Sequence, residues 1–173
     1  AFNAMPGDPP PFLFQFSLDP EQEARAVARR IARDGHVRGI ALFPGNAWGD
    51  RLQAAFTAEL LATGVQLTAA QVYDPSTSDF SGPLRAALGR YGGAGARDAK
   101  GDLRPRDGAA EALLGPQFAF IAAMPPAARA LRPQLRFQMA YDMPVYATSD
   151  AVDAGSRAVA DLDGLLLPEM PWI

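Results

Sequence analysis

One stretch limits the possible folds more than any other. Residues 38–56 run Arg-Gly-Ile-Ala-Leu-Phe-Pro-Gly-Asn-Ala-Trp-Gly-Asp-Arg-Leu-Gln-Ala-Ala-Phe. Ile40 to Phe43 is a short apolar run without alternation, which predicts a strand covered on both faces. Pro44, Gly45 and Asn46 break it, and each favours a turn for its own stereochemical reason. After Gly49, apolar residues recur at Leu52, Ala55, Phe56 and Leu60, the spacing of one helix face. Gly64 follows as a stop signal. A strand that feeds a helix through a tight loop is half of a parallel crossover unit. In such folds the loop after the strand faces any ligand, at the carboxyl edge of the sheet. Asn46, Ala47 and Trp48 are therefore expected beside any small-molecule site.

The rest of the chain repeats this alternation. Residues 1–11 are Pro-rich and aperiodic, an extended lead-in, and Phe12, Phe14 and Phe16 share one face of a short strand. Asp19-Pro20-Glu21-Gln22 is a helix start: Asp19 caps, Pro20 suits the first helical position, and Gln22 has capping-box spacing. Ala24, Val27, Ala28 and Ile31 form its apolar stripe, Arg25, Arg29, Arg30 and Arg33 lie off it, and Gly35 ends it. A second strand is expected over Val65–Tyr73 and a polar loop over Asp74–Ser78. A helix beginning near Asp79 or Ser81 carries Phe80, Leu84, Ala87 and Leu88, with its regular part starting late because of Pro83. Phe118–Met124 is the most apolar strand. Pro125 and Pro126 open a helix with Ala128, Leu131 and Leu135 inward, and Pro133 is expected to kink or split it. Pro144–Ala147 and Leu165–Leu167 are further strands, separated by a weakly helical Ala151–Asp163. The order predicts an α/β fold, a doubly wound parallel sheet with helices on both faces. No internal repeat is present at solenoid periods.

Composition narrows the function classes. With 173 residues and 49% apolar content, the chain suffices for one domain with a real core. A net charge of −3 gives no argument for nucleic acid or a membrane surface. The absence of Cys removes disulfides, thiolate metal sites and cysteine nucleophiles together. No apolar run of about 18 residues exists to form a spanning helix. No charged-then-apolar leader begins at Ala1, as expected of a mature chain or a piece of a longer one.

Few residues carry chemistry. His36 is the single histidine and follows the Gly35 stop, which places it on a surface loop. Without a second His or any Cys, a zinc site would need carboxylates alone, and no metal or other cofactor is expected. Ser149 and Asp150 follow a strand, where a site belongs. No G-x-S-x-G elbow surrounds Ser149 and no histidine is evident as its base. Pro44–Arg51 lacks both the G-x-G-x-x-G and the P-loop patterns. An anion at that helix start would be opposed by Asp50, which serves better on the helix dipole. Asp79, Asp153 and Glu169 show no spacing that pairs them. Trp48 has two readings: a stacking surface for a ligand or partner, or a partly buried cap over the helix start. Gly89–Gly108 is rich in Gly and aperiodic. It carries Arg97, Lys100, Arg104 and Arg106, either as a solvated loop or as an anion or partner contact. Trp172, beside prolines, is expected to pack against something outside this chain.

Two stretches resemble a known family. They are Ala130-Leu-Arg-Pro-Gln-Leu-Arg-Phe137 with Asp142-Met-Pro-Val-Tyr-Ala-Thr-Ser149, and Asp161-Leu-Asp-Gly-Leu-Leu-Leu-Pro-Glu-Met-Pro-Trp172. Both resemble the LppC lipoprotein family, the LpoA-type activators of penicillin-binding proteins. Phe14–Ala24 and Phe43–Arg51 are similar to the same pattern, so the resemblance covers nearly all of the chain. The last motif is the most specific, because a generic parallel sheet does not demand its Gly, Met-Pro and Trp. One departure stands out: relatives often carry Ser-His where this chain has Ser149-Asp150.

The resemblance implies one lobe of a fold like type I periplasmic solute-binding proteins. Residues 1–18 would be the crossover from a first lobe, 19–167 the α/β lobe, and 168–173 the start of the crossover back. It implies a non-enzymatic lipoprotein on the periplasmic face of the outer membrane, which stimulates a class A penicillin-binding protein by contact. Its lipid anchor and helical-repeat domain would lie outside this chain. By analogy with solute-binding proteins, the cleft would be lined by Asn46, Ala47, Trp48, Met124, Pro125, Ser149 and Asp150. Two alternatives stay open: a receptor for amino acids, peptides or muropeptides, and a hydrolase using Ser149. A lone lobe exposing Phe12, Phe14 and Trp172 is expected to self-associate.

Overall fold

A computed structural model describes residues 19–89, 115–139, 142–152 and 162–168. The expectations for Phe12–Phe16, for Arg97, Lys100, Arg104 and Arg106, for Asp153, Glu169 and Trp172, and for most of Ala151–Asp163 lie outside these residues.

The elements in chain order are α1 (Pro20–Arg33), β1 (Arg38–Pro44), α2 (Ala47–Thr63), β2 (Gln66–Tyr73), α3 (Ser81–Leu88), β3 (Ala119–Ile121), α4 (Pro125–Gln138), β4 (Val145–Ala147) and β5 (Leu165–Leu166). A single 3₁₀ turn covers Ser149–Ala151. All strand pairs are parallel, in the order β2-β1-β3-β4-β5. That is the doubly wound order with the direction of winding reversing between β1 and β3.

Strand alternation sorts the core into two layers. Ala41, Phe43, Phe118, Phe120, Ala122 and Tyr146 pack on one face with α1 and α2. Ile40, Leu42, Ala119, Ile121, Ala123, Val145 and Ala147 pack on the other with α3 and α4. The first layer is pinned by aromatic rings: Phe56 stacks on Phe120 at 4.0 Å, and Phe43 lies 5.7 Å from Phe120. Both faces of β1, β3 and β4 are thus covered, which is why these strands are apolar without interruption. β2 is an edge strand, and its residues alternate between exposed and half-buried up to the buried Tyr73.

Helix ends follow their sequence signals. Asp19 Oδ1 accepts from the Glu21 N–H, with Pro20 at the first helical position. Gly64 ends α2 at φ +76°, and its N–H donates to the Leu60 and Leu61 carbonyls. Pro83 sits in the first turn of α3, where no intrahelical N–H is lost, so the helix begins at Ser81 rather than later.

Three further boundaries differ most from the expectation. α2 begins at Ala47, not after Gly49: Asn46 Oδ1 accepts from the Gly49 N–H at 2.9 Å and caps the helix. α4 runs unbroken through Pro133, whose ring lies on the exposed face while Leu131 and Leu135 on either side are held in the core. The strand at Phe118–Met124 shortens to Ala119–Ile121, since β4 offers a partner for three residues only.

Candidate functional site

The loops after β1, β3 and β4 line up along one edge of the sheet, at and beside the point where the winding reverses. This edge gathers Asn46, Ala47, Trp48, Met124, Pro125, Ser149 and Asp150, the residues expected there.

The β1 corner is built by close backbone packing. The Gly45 N–H donates to the Tyr73 carbonyl at 2.8 Å and the Asn46 N–H to the Pro44 carbonyl at 2.9 Å. A Cβ on Gly49 would stand 2.0 Å from the Pro44 carbonyl oxygen, so only glycine lets the helix start this near the strand. Asn46 therefore spends its side-chain oxygen on the cap, and Ala47 is exposed in the first helical turn. Trp48 is half-buried and packs one part of its ring on the α1–α2 layer while the rest stays exposed. Asp50 lies in the same first turn, on the positive end of the helix dipole.

The β3 corner presents Met124, 47% exposed, at the cap position of α4, with Pro125 as its first residue. Behind it, the Tyr73 hydroxyl donates to the Ala122 carbonyl at 2.7 Å. Tyr73 reaches past β1 to do so, and burial pushes its hydroxyl pKa up. The bond ties the edge strand to the central one at the site.

The β4 corner holds the strongest polar feature, and a residue that sequence reasoning missed. Glu23, from the first turn of α1, is 4% exposed. Its carboxylate accepts from the Ser149 N–H at 2.7 Å and from the Ser149 hydroxyl at 2.6 Å. Burial raises the Glu23 pKa above the ordinary carboxylate value, the two bonds from Ser149 oppose the rise, and the neighbouring Asp150 and Asp19 charges add to it. Asp150 is also raised, chiefly by burial, with the Thr148 hydroxyl near enough to offset part of the effect. Thr148 Oγ1 and Asp150 Oδ2 are both sealed from solvent, and among the described residues the contact between their two side chains falls short of good hydrogen-bond geometry. A signal for Glu23 was present: it stands four residues before Val27 and eight before Ile31, on the apolar stripe.

Ser149 thus has a carboxylate acceptor, where the sequence had offered no base. The geometry ties down a loop. Both donors of Ser149 are taken by one carboxylate, so its own N–H is not free to stabilise an oxyanion. His36 stands at the opposite edge of the sheet, half-buried, with ring centroids 6.1 Å from Phe118 and 6.2 Å from Tyr146. No group of three or more His, Cys, Asp or Glu residues among the described residues has the geometry to hold a metal ion. Among the same residues, no helix is long and apolar enough to cross a membrane.

Comparison with known proteins gives this edge its context. The family model described as LppC putative lipoprotein matches residues 2–173. The penicillin-binding protein activator LpoA of Pantoea ananatis is 43% identical over 54 residues, which are 31% of this chain and 8% of that protein. Full-length LpoA from Haemophilus influenzae shares the fold at a TM-score of 0.63 and 18% identity, over 98% of this chain and 27% of that one. An ABC-transporter solute-binding protein from R. palustris, solved with benzoate, shares it at 0.56 and 13%, over 79% of this chain and 31% of that one. The chain therefore spans about a quarter to a third of the solved structures it resembles.

Proposed function

This chain belongs to the LppC family of putative lipoproteins, and from that membership we propose that it is one lobe of a non-enzymatic regulator of peptidoglycan synthesis. The regulator acts by contact with a class A penicillin-binding protein, from a lipid-anchored position on the periplasmic face of the outer membrane. The observation that carries this reading is the family match along the whole chain, joined to a fold shared with full-length LpoA. The β4 corner agrees with it, because Glu23 uses both donors of Ser149 to hold two elements together. On this reading residues 1–18 and 168–173 are the crossovers to and from a second lobe, and the basic residues Arg97, Lys100, Arg104 and Arg106 are candidates for the contact.

The test is retention of a class A penicillin-binding protein from the same organism on the immobilised full-length protein. Retention at physiological salt is expected. Its absence, in a preparation shown to be folded, overturns the reading.

A second reading has its own observation. The half-buried Asp150 carboxylate stands beside the Thr148 hydroxyl at the edge where solute-binding folds take ligands. A small molecule that donates hydrogen bonds would find an acceptor in that carboxylate. Titration of amino acids, peptides and muropeptides into the full-length protein, followed by Trp fluorescence, tests this. A flat response across the set rejects it.

A further inference from the structure

At the far end of the sheet from Ser149, a cavity opens between the last turns of α4 and the amino ends of β4 and β5. It has a volume of about 460 Å³ and is lined by Arg132, Arg136, Asp142, Met143, Pro144, Asp163, Gly164 and Leu166. That is enough for a small metabolite and is within the usual range of ligand pockets.

Arg132 is the anomaly in its wall. The residue is 8% exposed, and its Nε and Nη1 are sealed from solvent with no hydrogen-bond partner. Two guanidinium nitrogens buried without an acceptor among the described residues are costly, because they lose hydration and gain no hydrogen bond in return. Its pKa falls below the ordinary arginine value through burial first and the Arg136 charge second, with Asp142 and Asp163 opposing. Neither aspartate forms an ion pair with it within 4 Å. Nη2 points at Gly164, where a Cβ would come within 3.1 Å and where φ is +75°. A side chain there would crowd the guanidinium and strain the backbone, and glycine avoids both.

Among the described residues, four charged side chains line the wall. Arg132 and Arg136, one turn apart on α4, offer a positive side. Asp142 and Asp163, from the segments entering β4 and β5, offer a negative one. A plain anion would be attracted by one side and repelled by the other. A molecule carrying both charges satisfies each.

We propose that this cavity binds a small zwitterion, its carboxylate on Arg132 and Arg136 and its ammonium on Asp142 and Asp163. The site is separate from the β4 corner and stands independently of the regulator reading.

The experiment is calorimetric titration of the full-length protein with L-alanine, acetate, methylammonium and inorganic phosphate. Each is repeated on Arg136→Gln and Asp163→Asn. Both residues are exposed, so these variants keep the fold, which a melting curve verifies. Alanine is expected to bind at least about tenfold more tightly than acetate or methylammonium, with each variant losing about tenfold, as for removal of one charge-assisted bond. Three results overturn the proposal: no alanine binding up to millimolar concentration, phosphate or acetate binding as well as alanine, or alanine binding unaffected by both variants. The last would place the ligand at another site, such as the β4 corner.

Discussion

The Glu23 carboxylate takes two hydrogen bonds from Ser149, one from its N–H and one from its hydroxyl, at 2.7 and 2.6 Å. The pair are 126 residues apart in sequence. Through them the first turn of α1 fixes the loop that follows β4.

Removing the hydroxyl tests the strength of this tie. Ser149→Ala leaves the N–H bond in place and is expected to lower stability by about 1–2 kcal/mol. Chemical denaturation measures it. No change would mean that the hydroxyl bond contributes nothing beyond the backbone one.

The same carboxylate gives a pH signature. The Glu23 pKa is raised in the folded state, so between the ordinary value of 4.5 and the raised one the native form binds more protons than the unfolded form. Its contribution to stability is therefore greatest at acid pH and is lost as pH rises through that interval. Glu23→Gln removes the titration. The stability of the unaltered protein minus that of the variant is expected to decline across the interval and be flat above it. A difference that is constant with pH contradicts the assignment. Asp34 runs the other way: Arg30 and then Tyr146 hold its pKa down, so its contribution is lost as pH falls.

Gly49 reverses a general rule. Alanine in place of a helical glycine usually stabilises by roughly 0.5–1 kcal/mol. Here the new Cβ would meet the Pro44 carbonyl oxygen at 2.0 Å, so α2 must shift away from β1. Gly49→Ala is expected to destabilise by about 2–3 kcal/mol, read from the denaturation midpoint. A stabilised variant would show that the corner is looser than described.

Tyr73→Phe removes the hydroxyl that reaches the Ala122 carbonyl and leaves that oxygen buried. A loss of about 1–3 kcal/mol is expected, with faster amide exchange concentrated at the carboxyl ends of β2 and β3. Exchange rates unchanged there would contradict the role assigned to this bond.

Phe120 is fully buried and stacks on Phe56. Phe120→Ala is expected to cost about 3–5 kcal/mol, a large fraction of the stability of an ordinary domain. A thermal shift of only a few degrees would contradict a close-packed first layer.

Much of this was legible before the structure. Asp19 with Pro20, Gly64, and the apolar runs at Ile40 and Phe118 each have a single local meaning, and each marks an element that is present, though the strand at Phe118 is shorter than its apolar run. The α/β class and the winding followed from their order. Asn46 and Gly49 misled because turn-forming residues at 45, 46 and 49 suggest a loop, whereas one is a cap and the other a close contact. Pro133 misled because local propensity ignores the core contacts that hold α4 together on both sides. At the site, the sequence indicated the edge but not its strongest feature. Glu23 and Arg132 both fall on apolar stripes at helical spacing, yet a charged residue on a stripe gains meaning only from its partner. Glu23 finds Ser149, while Arg132 finds none among the described residues.

The proposed regulation of a peptidoglycan synthase is tested most directly by synthase activity. A class A penicillin-binding protein from the same organism would be assayed for glycan polymerisation and peptide crosslinking, with and without the intact full-length protein. Stimulation of either activity at a stoichiometric ratio is the predicted result. Unchanged rates across a concentration series of folded protein would contradict this role.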